Sequence, residues 1–155
     1  MRALTILHLN INGFHPRRAE FLNDIEEARS HVICMSECKH ELPLCFRGFN
    51  AIKPPHPNRP YNGGSAIFIS KKLDAEGLSP HQPTNIELIS VSLIICSSTL
   101  KIFHVYCPSS TLTQVDFDCI PTNHLDPTLL IGDLNANNPQ LSSDRTYVSP
   151  IAKGI

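Results

Sequence analysis

The sequence predicts a single α/β domain built mainly from strands, and three observations lead there. The first forty residues read strand, helix, strand. From Phe49 onward the pattern changes to strands without long helices. Four apolar runs each end in a small polar signature, at Asn10/Asn12, Glu37, Tyr106 and Asp133/Asn135. A chain of 155 residues matches one domain. Such a length buries ~70% of the surface its unfolded form exposes, enough for a real core. With 41% hydrophobic and only 17% charged residues, a disordered chain is excluded.

The first predicted strand covers Leu4 to Leu9 and stops at the polar turn Asn10-Ile11-Asn12-Gly13. After Pro16, which suits a first helical turn, RRAEFLNDIEEA places Phe21, Leu22, Ile25 and Ala28 on one helical stripe. The run from His31 to Ser36 reads as a buried strand ending at Glu37. A strand–helix–strand order implies a crossover and parallel pairing. Strands are expected at Phe49 to Lys53 and over 65–70. The runs Ile86 to Cys96 and Lys101 to Tyr106 form an antiparallel hairpin about an SSTL turn. A short helix over Leu112 to Ile120 ends before Pro121, and Pro127 to Ile131 reads as a buried strand emptying into Gly132-Asp133-Leu134-Asn135. Thirteen prolines, concentrated at 53–60 and 79–83, read as rigid loops between strands.

No apolar run approaches 18 residues, so no membrane span is expected, and the N-terminus lacks a signal-peptide cleavage pattern. A formal net charge of −1 argues against a module that coats nucleic acid by neutralising phosphates, so any DNA contact must be local and chemical. Six cysteines without secretory signals favour reduced thiols in an intracellular protein, with Cys34 and Cys96 acting as small hydrophobes in apolar runs. Cys34, Cys38 and His40 lack the second ligand pair of a zinc site.

Ligands of open α/β sheets sit beyond the carboxyl ends of strands, so the four polar signatures are expected to converge on one site. Residues i and i+2 of an extended chain face the same way, which pairs Asn10 with Asn12 and Asp133 with Asn135. The set is rich in oxygen: two carboxylates, three amides and a phenol. Mg²⁺ and other hard cations take one or two carboxylates plus substrate phosphate oxygens. The chemistry that fits is metal-assisted hydrolysis of a phosphate ester, with amide and phenol donors on the phosphoryl oxygens. Taken singly, Asn, Asp and Gly at strand ends are also ordinary turn residues. Glu37 is more telling, because a carboxylate after VICMS is costly if buried without a partner.

The segments LTILHLNINGF, VICMSECK, GGSAIFIS, LKIFHVYCPSS and TLLIGDLNANNPQLSSDRT resemble, in that order, the endonuclease/exonuclease/phosphatase superfamily. More narrowly they resemble the apurinic-type endonuclease domain of non-LTR (LINE-type) retrotransposons. The resemblance covers residues 4–146; residues 1–146 are read as the domain and 147–155 as a tail. It implies a DNase I-like fold, two β-sheets face to face with helices outside. It also implies roles: Asn10 and Asn12 arrange metal and phosphate, and Glu37 ligates the divalent metal, Mg²⁺ or Mn²⁺. Tyr106 hydrogen-bonds the scissile phosphate, Asp133 orients or deprotonates the attacking water, and Asn135 stabilises the phosphate transition state. Gly63 and Gly64 serve close strand packing. The implied reaction is in-line attack of water on a DNA phosphodiester, inside the nucleus and within a longer retroelement polyprotein, leaving a 3′-hydroxyl that primes reverse transcription.

The family's later serine-isoleucine-aspartate and serine-aspartate-histidine motifs are absent, which predicts a sandwich incomplete at its C-terminus. It also predicts an uncovered sheet face available for association. His8, His15, His31, His104 and His124 read as ordinary surface or strand histidines. Two alternatives accompany the endonuclease reading: an inactive fragment of that domain, and a superfamily phosphatase or phosphodiesterase acting on another substrate.

Overall fold

A computed structural model describes residues 3–38, 46–53, 64–78, 86–108, 118 and 126–135. Two four-stranded sheets pack face to face. The first has the order β1-β2-β4-β3, from β1 (Ile6–Asn10), β2 (Val32–Ser36), β3 (Phe49–Ile52) and β4 (Ala66–Ser70). The second has the order β5-β6-β7-β8, from β5 (Asp74–Leu78), β6 (Glu87–Ile95), β7 (Ser98–Tyr106) and β8 (Thr128–Asp133). Helix α1 (Phe14–Ala28) crosses from β1 to β2, which run parallel as the crossover rule requires.

Alternation along each strand divides the apolar residues between layers. Val32, Cys34, Ile67 and Ile69 of the first sheet meet Ile89, Val91, Leu93 and Ile102 of the second, and this is the central core. Ile33, Met35, Ala66 and Phe68 face the other way and pack with Phe21 of α1 and with Phe46. The helical stripe is narrower than its spacing suggests. Phe21 is buried and Ile25 half-buried, but Leu22 and Ala28 are exposed, because a helix on the outside of a sheet rests on it along one narrow line.

Several elements depart from expectation. β1 begins and ends later than the apolar run, at Ile6 and Asn10. The hairpin turns at Cys96-Ser97, with Ser98 to Leu100 already in β7. Both turn residues have positive φ, 48° and 68°, the two-residue geometry that matches strand twist. Cys96 is therefore exposed rather than packed in a strand. Cys34 and Cys38 lie in clusters on opposite faces of the first sheet. β5 has no apolar signature: DAEGL is an edge strand, held by antiparallel pairing to β6. The expected helix over 112–120 lies outside the described residues apart from Asp118, which is helical, and so does the tail at 147–155.

Among the described residues β8 is a half-exposed edge strand and not a buried one, with alternate residues facing solvent. An unbroken TLLI run reads as buried on both faces, yet Leu130 points outward and is 50% exposed. On the same outer face Leu88, Phe103, Val105 and Cys107 are buried. Among the described residues, the expected uncovered face reduces to Leu130 and Ile94. Gly132 stands opposite Val105 in the parallel β7–β8 ladder, and a Cβ there would lie 1.8 Å from the Val105 carbonyl oxygen. Only glycine lets the two backbones approach closely enough to set Asp133 beside Tyr106.

Candidate active site

β1 and β2 run parallel, as do β7 and β8, and their carboxyl ends reach the same edge of the sandwich, where β8 lies against β1 and β2. Register then fixes what collects there. Asn10 pairs with Ser36 at the end of the first sheet, and Tyr106 pairs with Asp133 at the end of the second.

The Asn10 carboxamide joins the two sheets. Its Nδ2 donates to Glu37 Oε1 at 2.9 Å and to Asp133 Oδ2 at 2.8 Å, while its Oδ1 accepts the Asn12 backbone N–H at 3.2 Å. Both amide protons thus go to carboxylates, one from each sheet. Asp133 is held at its second oxygen as well, since Oδ1 accepts the Asn135 backbone N–H at 3.0 Å. The Asn135 side chain donates to the Cys107 carbonyl. Asn12, Glu37 and Asn135 all have positive φ, 44°, 57° and 50°. Such conformations are uncommon outside glycine and cluster where surrounding contacts over-determine them, often at functional sites.

Tyr106 is 4% exposed. Burial, and then the negative charges of Glu37, Glu87 and Asp133, push its phenol above the ordinary tyrosine range. The group therefore stays protonated and can only gain by donating its proton to an anionic oxygen. All six residues singled out in the sequence lie at this edge. Direct hydrogen bonds unite Asn10, Glu37 and Asp133; Asn12 and Asn135 join through backbone N–H groups; Tyr106 joins through register and electrostatics.

Two groups escaped the sequence reading. Glu87 starts β6 opposite Tyr106, and its carboxylate accepts the Gly64 N–H at 3.1 Å and the Ser65 hydroxyl at 2.7 Å. Gly64, expected to serve packing, also accepts the Cys38 N–H at 2.9 Å. One layer deeper, the Ser36 hydroxyl lies 3.2 Å from His104 Nε2 and 3.5 Å from His8 Nε2. His104 Nδ1 is buried without a partner among the described residues. An orphan buried N–H is rarer than an orphan acceptor, so His104 carries its proton on Nε2 and donates to Ser36.

Burial, and after it the neighbouring His8, drive His104 down to about 3, and burial also lowers His8. The unfolded chain takes up these protons below about 6.5 while the folded chain refuses them. Stability is therefore complete above that value and falls as pH drops toward 3, by up to about 1.4 kcal/mol per pH unit for each proton. Urea midpoints should drop between pH 7 and pH 4.5, and His104→Leu should flatten the decline. An unchanged wild-type midpoint would refute the buried-neutral assignment.

The site's donors suit a hard divalent cation. Glu37 and Asp133 aim carboxylate oxygens at one amide nitrogen, and neither thiol nor imidazole belongs to that set. Among the described residues no group of three His, Cys, Asp or Glu could hold a metal. The protein would supply one or two carboxylates and leave the other positions to amides, water and substrate, as Mg²⁺ prefers.

Residues 7–150 match the family described as endonuclease/exonuclease/phosphatase. The fold is similar to that of the endonuclease domain of TRAS1, a telomere-specific non-LTR retrotransposon. There the identity is 15% and the TM-score 0.62, over 88% of this chain and 61% of that one. It is similar also to D. rerio TDP2 complexed with single-strand DNA product, at 14% identity and TM-score 0.63, over 90% of this chain and 64% of that one. A third likeness is to the AP endonuclease LMAP from Leishmania major, at 16% identity and TM-score 0.62, over 94% of this chain and 58% of that one. The chain thus spans less than two thirds of each of these structures. The architecture shared with them is the DNase I-like α/β sandwich. No curated protein sequence matches the chain.

Proposed function

The chain belongs to the endonuclease/exonuclease/phosphatase family, and from that membership we propose that it is a Mg²⁺- or Mn²⁺-dependent phosphodiesterase that nicks DNA, derived from a non-LTR retrotransposon. One observation carries the reading: a single carboxamide, Asn10, holds Glu37 of one sheet against Asp133 of the other beside a buried phenol. A turn asparagine with only a local role would not bridge two carboxylates 27 and 123 residues away.

In this reading Glu37 and Asn12 would hold the divalent cation. When bound, the cation supplies charge stabilisation to the phosphoryl oxygens. Asp133, fixed at both oxygens, orients the attacking water and takes its proton. Tyr106 donates its phenolic proton to a non-bridging phosphate oxygen. An amide nitrogen has two N–H donors, so Asn135 can anchor on Cys107 and still offer one to the phosphate. Asn10 positions the two carboxylates, which take both of its amide N–H donors. The DNA assignment draws on the retrotransposon and DNA-bound neighbours, with membership of a longer polyprotein and a nuclear site of action as its corollaries.

The test is nicking of supercoiled plasmid by the purified chain in Mg²⁺ and in EDTA, beside Glu37→Ala. The expected outcome is Mg²⁺-dependent nicking, reduced by about 10²-fold or more in the variant. A folded wild-type chain that never nicks would replace this reading with the inactive fragment. Equal nicking by both proteins would show that the activity arises elsewhere.

A further inference from the structure

Glu37 can serve the site only if its backbone is held in an unfavourable conformation, and the residues that hold it lead to Glu87. At φ 57° Glu37 lies in the left-handed region, which a non-glycine residue keeps only under constraint from its neighbours. Two backbone bonds constrain it. Its own carbonyl accepts the Gly13 N–H at 2.7 Å, and the next amide, of Cys38, donates to the Gly64 carbonyl at 2.9 Å. The first bond ties Glu37 to the turn after β1. The second depends on where Gly64 lies, and Gly64 leads into β4 with φ 97°.

What fixes Gly64 comes from the opposite sheet. Glu87 Oε1 accepts the Gly64 N–H at 3.1 Å and Oε2 accepts the Ser65 hydroxyl at 2.7 Å, so one carboxylate grips two consecutive residues. Ser65 is 3% exposed, which leaves its hydroxyl no ready substitute in water. The same Glu87 stands opposite Tyr106 in the β6–β7 ladder, and its charge helps hold the phenol protonated.

We infer that Glu87 is a positioning residue of this site. From β6 it clamps Gly64 and Ser65, Gly64 anchors Cys38, and Cys38 fixes the twist that presents Glu37 to Asn10. This assignment rests on the proposed metal-dependent reading for its functional consequence, while the clamp itself is a matter of structure. Groups that orient a metal ligand from behind commonly change metal affinity by 10–100-fold when removed.

The test uses the full chain and two readouts. Amide hydrogen exchange at Cys38 reports the clamp without any catalysis, with Met35 in β2 as the internal reference. In Glu87→Ala and in Ser65→Ala the Cys38 amide should lose protection while Met35 keeps it. Ser65→Ala removes only a hydroxyl and serves if Glu87→Ala fails to fold. Plasmid nicking titrated with Mg²⁺ should then need about tenfold more cation in Glu87→Ala, with a smaller change in the saturated rate. Glu87→Gln keeps one good acceptor and should fall between the two. Unchanged Cys38 exchange in a folded Glu87→Ala or Ser65→Ala overturns the assignment, whether or not the wild-type chain nicks. Lost protection with an unaltered Mg²⁺ requirement overturns its functional part.

Discussion

Asp133→Asn is expected to lower plasmid nicking by about 10²-fold or more while leaving the thermal midpoint nearly unchanged. The reason lies in how the carboxylate is held. Oδ2 accepts from Asn10 Nδ2 and Oδ1 accepts from the Asn135 N–H, so both oxygens face donors. An asparagine has one acceptor and would set its NH₂ against one of these N–H groups. It would also lack the negative charge that, in the proposed mechanism, orients water and takes a proton. Residue 133 is only half-buried at the end of an edge strand, so the lost bond is partly replaced by solvent. Circular dichroism and melting beside the nicking rate separate the two effects. A variant that nicks like the parent would remove Asp133 from the chemistry.

Gly132→Ala is expected to be the most damaging single methyl in the described chain. Its Cβ would lie 1.8 Å from the Val105 carbonyl oxygen and 2.7 Å from the carbonyl carbon. These are backbone atoms inside a ladder, and no side chain can rotate away. β8 must separate from β7 near Asp133 or the pair must buckle, at a cost on the order of 3 kcal/mol or more. In a domain of this size that lowers the melting midpoint by roughly 10 °C. Nicking should fall as well, because Asp133 follows directly. A midpoint within a degree or two of wild type would mean that the β7–β8 register is softer than the ladder indicates.

The two substitutions also show how far the sequence reached. Asn10, Glu37 and Asp133 were legible because each follows an apolar run, and parallel strands bring such ends to one edge. The β1–α1–β2 unit and the β6–β7 hairpin were legible from periodicity. β5 was not, since DAEGL has no β-branched residue and owes its strand conformation to β6. The exposure of β8 was not, because an unbroken apolar run looks the same at an edge as at a centre. Glu87 begins a strand and looks like a solvated rim residue, and its partners at 64 and 65 are supplied only by the facing sheet. His104 alternates correctly for an inward position, but the hydroxyl that receives it comes from β2.

The bond from Asn10 to Asp133 closes a loop of 123 residues. Contacts between distant parts of a chain form slowly, because loop entropy must be overcome before the contact returns anything. A chain emerging from the ribosome makes Asn10 and Glu37 early and can fold β1, α1 and β2 without β8. Asp133 reaches them only after almost the whole described chain has been made and the second sheet has docked. The two carboxylates therefore come under one amide only once both sheets have formed and docked. A half-folded chain does not carry the assembled cluster, so topology alone keeps these side chains apart until the sandwich is closed.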